Sequence, residues 1–193
     1  RKVMTALNPQ GVVVRSFKQP NSMEASHDYL WRVHSLCPAK GEIAIFNRSH
    51  YEDVIVPQVH GSAKGKEMER RCRQINDFER MLTEEGTIIL KFFLTISKEE
   101  QLARLHARLE DPTKQWKFSI NDVRERGYWD KYSDTFEEML GNTSTAHAPW
   151  CVVPSNRKWF RNLLVSEVLR RTFAGLKLDW PAPTEDLSKI TLK

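Results

Sequence analysis

Asn47, Arg48, Ser49, His50, Glu52 and Asp53 crowd into seven positions immediately after the apolar run Ile43–Phe46. An amide, a guanidinium and two carboxylates in so short a stretch are suited to holding phosphate. The Arg fork matches two phosphate oxygens, while an Asn can bond an oxygen or a metal-bound water without adding charge. Phosphoryl transfer asks a protein mainly for alignment and for positive charge where negative charge builds up. The apolar run reads as a strand buried on both faces. A polar cluster at its carboxyl end lies where open α/β sheets bind their ligands. The same residues read equally as an ordinary strand-to-helix loop whose polar groups cap the next helix.

Other charged residues stand at telling spacings. Asp28 and Arg32, four apart, are neighbours on one helix face, as are Arg104 and Arg108. A plain surface pair accounts for the first two, and solvated bases for the second two. Lys114 and Lys117 belong to a polar loop over residues 113–119.

These groups need a scaffold, and 193 residues make one domain of ordinary size, 1–193. The formal net charge of +5 favours a polyanionic partner. The excess is uneven: over 155–177, Arg157, Lys158, Arg161, Arg170, Arg171 and Lys177 face the single acid Glu167. Cys37, Cys72 and Cys151, an odd and widely spaced set, make neither a disulfide framework nor a metal site. No apolar run approaches the ~18 residues of a membrane span and no signal peptide is visible, so a cytoplasmic protein without a membrane partner is expected.

Strands alternate with helices along the chain. Val12–Phe17 is β-branched and short. Asn21 and Glu24 have capping-box spacing and open a helix to about Leu36. A long charged helix fits Lys64–Glu85, with Met68, Cys72, Ile75, Phe78 and Leu82 at helical spacing. Thr87–Ile96 is the most hydrophobic strand, and Ser97 with Glu100 opens a helix bearing Leu102, Leu105 and Leu109. Ser119 to about Leu140 reads as one helix, Trp150–Val153 as a last strand, and Pro154–Ser155 as the cap of a helix to about Phe173. Four strands alternating with helices imply a parallel sheet in a three-layer α/β/α fold. The chain opens at Arg1 in what reads as the middle of a helix, so a preceding strand and loop are expected upstream. Residues 178–193, with Pro181 and Pro183, read as an extended tail.

The blocks Asn8–Gly11, Ser16–Pro20, His27–Arg32, Phe46–Val54, Asp111–Lys117 and Ala148–Trp150, in that order, resemble the type-2 polyphosphate kinase family and specifically its subclass III. The resemblance implies a P-loop kinase core, similar to thymidylate kinase. It also implies phosphoryl transfer between inorganic polyphosphate and AMP or ADP with Mg²⁺, and a homo-oligomer. It assigns catalytic roles to Asn47, Arg48 and Arg104. Contacts to nucleotide or polyphosphate fall to Asp28, Arg32, Glu52, Arg108, Lys114 and Lys117, and none of the chain's residues is assigned as a metal ligand. The lid spans about 104–126. The family's P-loop precedes the helix at which this chain begins, and no G-x-x-x-x-G-K-S/T pattern occurs in the 193 residues. The stretch as it stands is therefore expected to be inactive alone.

Two other readings compete. An ATP-dependent nucleotide kinase of the same fold is one, which the basic lid argues against. A nucleic-acid-binding module is the other. It would bind with a steep salt dependence, but no zinc finger, RNA-recognition signature or Lys/Arg run supports it, and no nucleic-acid partner is expected.

Overall fold

Each strand forms where β-branched or aromatic residues cluster, and each is only five residues long. The computed structural model describes residues 2–5, 7–62, 65–176, 178–179 and 182–185. In chain order these hold β1 (Val12–Ser16), α1 (Ser22–Ala25), α2 (Trp31–His34), β2 (Ile43–Asn47), α3 (Glu52–Val59) and α4 (Lys66–Glu84). They continue with β3 (Lys91–Thr95), α5 (Lys98–Glu110), α6 (Ile120–Arg126), α7 (Trp129–Thr143), β4 (Trp150–Pro154) and α8 (Lys158–Gly175).

The strands pair in parallel, as the alternation with helices requires. β1 runs beside β2 from Val12 against Ile43 to Ser16 against Asn47. β3 runs beside β4 from Lys91 against Trp150 to Thr95 against Pro154. Among the described residues these are two separate two-stranded sheets rather than the single sheet expected. A pair leaves one edge of each strand uncovered, and the burial reflects that. Ile43–Phe46 is half-buried instead of closed on both faces, and Leu94 and Val152 are 49 % and 57 % exposed.

The core gathers behind the polar cluster, between helices. Tyr51 and, from α3, Val54, Ile55 and Val59 meet Met68, Cys72 and Ile75 of α4 and Met139 of α7. Each such side chain contributes about 1.5–3 kcal/mol by leaving water. The residues just ahead of α3 are thereby fixed to the best-packed part of the molecule.

Several elements differ from the sequence reading. The capping box of Asn21 and Glu24 forms, but its helix ends at Ala25. The Asp28 carboxylate then accepts from the Leu30 and Trp31 N–H groups and starts α2 afresh. The helix expected over 119–140 breaks at Gly127 and Tyr128, whose N–H groups bond three residues back, to Arg124 and Glu125. β3 begins only at Lys91, leaving Ile88 54 % exposed. Of the three leucines on α5 only Leu105 is buried. Where the sequence reads as a helix ahead of Asn8-Pro9, the described residues form a 3-10 turn, Lys2–Met4. Most of the tail over 178–193 lies outside the described residues. No described helix is long and apolar enough to cross a membrane.

Candidate functional site

The polar cluster begins where β2 ends. The Phe17 N–H donates to the Asn47 carbonyl at 3.3 Å, extending the pairing by one step. Arg48 then turns the chain with φ +60°, the one non-glycine residue of positive φ among those described. An L-residue in the left-handed region costs about 1–2 kcal/mol, so the surroundings must hold it there. The Asn47 and Arg48 side chains are exposed, and among the described residues Arg48 makes no hydrogen bond or ion pair. Its charge is felt by Glu52, the first residue of α3. Burial pushes the Glu52 carboxyl above its ordinary range while Arg48 pulls it down. Tyr132 of α7 lies in the same field. Burial and then its bond to Glu125 (2.7 Å) push the phenol up, Glu52 adds a smaller push and Arg48 a smaller pull down.

Beyond Arg48 and Ser49 the side chains turn inward. His50 and Tyr51 are 7 % and 4 % exposed. The Tyr51 hydroxyl donates to Glu79 Oε1 at 2.7 Å. The Lys91 ammonium donates to Tyr51 Oη (2.9 Å), Glu79 Oε2 (2.7 Å) and the Thr143 carbonyl (2.7 Å), using all three of its protons. The Trp150 ring lies 5.1 Å from that ammonium, and its indole N–H donates to the Thr143 hydroxyl. His50 Nε2 stands 3.5 Å from Glu79 Oε1, and neither ring nitrogen has a hydrogen-bond partner. Burial alone would raise the Glu79 carboxyl. The contacts from His50, Lys91 and Tyr51 outweigh it and hold the group below its usual range. For Lys91, burial wins over Glu79 and lowers the ammonium.

A second set of bonds grips the start of α3. Arg32, 6 % exposed, donates to the Lys18 carbonyl (2.8 Å) and to Asp53 Oδ2 (3.2 Å), and lies 5.4 Å over the Phe17 ring. Arg71 donates to the Asp53 carbonyl. Arg32 therefore points its guanidinium at protein rather than at an open cleft. Asp28, spent on capping α2, does not pair with Arg32.

The cations expected to line a lid lie elsewhere, on and after α5. Arg104 bonds Glu100 (2.8 Å) and the Ser155 and Asn156 carbonyls (2.7 and 3.2 Å), tying α5 to the turn after β4. Arg108 meets Asp122 at 3.6 Å, both 40 % exposed. Lys114 pairs with Asp111, and the Lys117 ammonium sits 4.9 Å from the Trp116 ring, itself 77 % exposed. The structure thus groups Asn47, Arg48 and Glu52 with Tyr132 and Glu125, and leaves Arg104, Arg108, Lys114 and Lys117 as a separate basic strip. A groove of about 710 Å³, lined by Phe93, Thr95, Glu125, Trp129, Tyr132 and Phe136, opens beside the first group.

Sequence reasoning missed Lys91 and Glu79. Two signals were present. Lys91 interrupts the most apolar run of the chain, and Glu79 falls four residues after Ile75, on the buried face of α4. The Trp residues divide: Trp150 packs on the core while Trp116 and Trp159 are exposed.

Comparison with known proteins agrees along nearly the whole chain. A family model described as Polyphosphate kinase 2 matches residues 1–178. The AMP/ADP-polyphosphate phosphotransferase of Meiothermus ruber is 49 % identical over 193 residues, which are all of this chain and 72 % of that protein. The ADP-polyphosphate phosphotransferase of Rhodopseudomonas palustris is 42 % identical over 205 residues, covering 100 % of this chain and 71 % of that one. The crystal structure of Polyphosphate Kinase 2 from Arthrobacter aurescens TC1 superposes with a TM-score of 0.94 at 49 % identity, over 97 % of this chain. The chain spans 66 % of that solved chain.

Proposed function

The chain belongs to the polyphosphate kinase 2 family, and from that premise we propose that the protein transfers a phosphoryl group between inorganic polyphosphate and AMP or ADP, forming ADP or ATP. The observation that carries the reading is Arg48: a guanidinium held out on a left-handed backbone, unpaired among the described residues, beside a carboxyl at a helix start. An unpaired cation next to the best-packed part of the molecule is placed to receive phosphate oxygens and costs little to reorganise when they arrive. In this reading Arg48 and Asn47 grip the acceptor phosphate, and Glu52 is a nucleotide-site acid that helps accept AMP, as the resemblance to subclass III implies. The acceptor is already anionic, so no general base is needed.

Arg108, Lys114 and Lys117 take the polyphosphate. Their partners are exposed, and solvent screening leaves exposed ion pairs worth little, so phosphate exchanges for Asp122 or Asp111 at small cost. Arg104 holds the lid's root helix to the β4 turn, and Arg32 braces Asp53. Both then support the site from behind. Asp28 sets the start of α2.

The finer fold reading is a P-loop NTPase-like core in which a further parallel strand joins the two strand pairs. Their lack of shared bonding, the half-exposed Leu94 and the groove beside β3 support it. The family resemblance implies Mg²⁺. Among the described residues no group of three or more His, Cys, Asp or Glu could hold a metal. These residues do not make a Mg²⁺ site by themselves. Cytoplasmic residence and a homo-oligomer complete the proposal.

The test is turnover of the full-length protein with polyphosphate, AMP or ADP, and Mg²⁺, read as release of ADP or ATP. Activity with ATP as the sole effective donor would replace this function with that of a conventional nucleotide kinase.

A further inference from the structure

We propose that Lys91 and Glu79 are positioning residues for Arg48, acting through Tyr51 and His50. The proposal rests on the reading of Arg48 as a phosphate-binding residue and adds what keeps it in place.

The buried cluster is unusual for its cost. Lys91 and Glu79 are 6 % and 1 % exposed, and taking such a pair out of water consumes most of what its attraction returns. Apolar side chains of the same volume would commonly serve stability as well. Something other than stability is therefore served, and the connectivity shows what. The cluster joins α4 (Glu79), the first residue of β3 (Lys91), the end of α7 (Thr143) and the first residue of β4 (Trp150) to one short segment, His50-Tyr51, by bonds to the Tyr51 hydroxyl and by the buried His50 ring 3.5 Å from Glu79. That segment starts two residues after the left-handed Arg48.

On the other side, Asn47 is locked by strand register to Ser16 and by the Phe17 N–H. Arg48 is thus stretched between two fixed points, strand register before it and a buried hydroxyl after it. A strained backbone conformation persists where its surroundings over-determine it. The Tyr51 hydroxyl is the critical joint because it touches both charges, donating to Glu79 and accepting from Lys91. Hydrophobic packing could bury the Tyr51 ring but would leave it free to slide along α4. Two directional bonds at 2.7 and 2.9 Å remove that freedom.

The test is a set of activity measurements on the full-length enzyme with polyphosphate and AMP. Variants are Arg48→Ala, the paired Lys91→Met/Glu79→Met, and the three changes combined. The paired change removes both charges together, so no uncompensated charge stays buried. The expected result is a fold with near-native thermal stability, kcat lowered on the order of 10-fold to 100-fold by a misplaced Arg48, and KM for AMP raised. The deciding readout is coupling. Arg48→Ala should cost far less in the paired background than in the native one, because Arg48 is already out of place there.

Equal costs in both backgrounds, or native kcat and KM in the paired variant, overturn the positioning role. Absence of any effect from Arg48→Ala in the native enzyme overturns the reading of Arg48 itself, and the proposal with it. Should the paired variant fail to fold, Tyr51→Phe carries the same test. It deletes only the bridging hydroxyl and keeps the Lys91–Glu79 pair, and it should show the same coupling to Arg48 with a smaller loss.

Discussion

The loop at 47–53 and the segment 104–126, proposed as a lid, both carry cations suited to phosphate, yet they hold them in opposite ways. In the loop the backbone is fixed and the side chain is free: Arg48 has no partner among the described residues, while Tyr51 and Asp53 around it are bonded into the interior and His50 is buried. In the lid the side chains are occupied and their anchors are soft. Arg108, Lys114 and Lys117 rest on Asp122, Asp111 and Trp116, all at the surface. A rigid mount suits a group that must meet a small acceptor phosphate in one geometry. Exchangeable pairs suit a strip along which a polymer of near-identical phosphates must slide.

The sharpest way to break this contrast is to attack the mount. Lys91→Met alone leaves the Glu79 carboxylate buried without its partner, and chemical denaturation should show a loss of about 3–5 kcal/mol. A loss under about 1 kcal/mol would mean the buried cluster is no firmer than the surface pairs. Next in size, Arg48→Ala should lower kcat/KM by about 10²–10³-fold, the range seen when one preorganised donor to a developing charge is removed. Stability should hardly change, since Arg48 makes no hydrogen bond or ion pair among the described residues and alanine keeps the Cβ that strains the left-handed backbone. Lys117→Ala should act mainly on KM for polyphosphate and leave kcat within a few-fold.

Glu52 offers a subtler test. Its folded carboxyl is raised by burial, so the folded state favours the proton. The stability this gives is full below the unfolded value and is lost as pH rises through the folded one. Glu52→Gln should therefore melt slightly higher than the native protein at neutral pH, and the difference should close on acidification, while use of AMP falls. A variant that is less stable at neutral pH would show that Glu52 is held by contacts rather than merely desolvated. The smallest effect belongs to the lid. Lys114→Ala should leave the melting temperature at neutral pH essentially where it was, because its pair with Asp111 is solvent-screened. Lys114 and Thr113 hold the Asp111 carboxyl at about 2, so what stabilisation that pair gives is present above the ordinary 3.8 and is lost only as pH falls toward 2.

What could be read from the sequence divides along similar lines. Local patterns came through: the β-branched run at Val12, the Asn21 capping box, and the polar burst after Phe46. Features set by distant partners did not. Nothing about Arg, a poor left-handed former, marks position 48 for φ +60°, because that angle is imposed by register on one side and Tyr51 on the other. Asp28 and Arg32 have the spacing of a pair, but an Asp two residues ahead of free N–H groups finds them first, and Arg32 finds Asp53, 21 residues on. Lys91 and Glu79 looked like one more strand charge and one more helix charge. Only the convergence of α4, α7 and both strands of the β3–β4 pair turns them into one buried unit. The half-burial of Ile43–Phe46 was equally out of reach, since it depends on how many strands stand alongside.

Trp116 gives the lid a property of its own. It sits on a single 3-10 turn with its indole N–H bonded only to the nearby Thr113 carbonyl, and among the described residues it is the most exposed of the large rings. Its fluorescence should be that of a hydrated indole, and a lid that closes over bound polyphosphate would dry the ring and move the emission to the blue. In a variant that keeps Trp116 as the sole one of the six tryptophans, titrating polyphosphate against that shift would test for closure without any label.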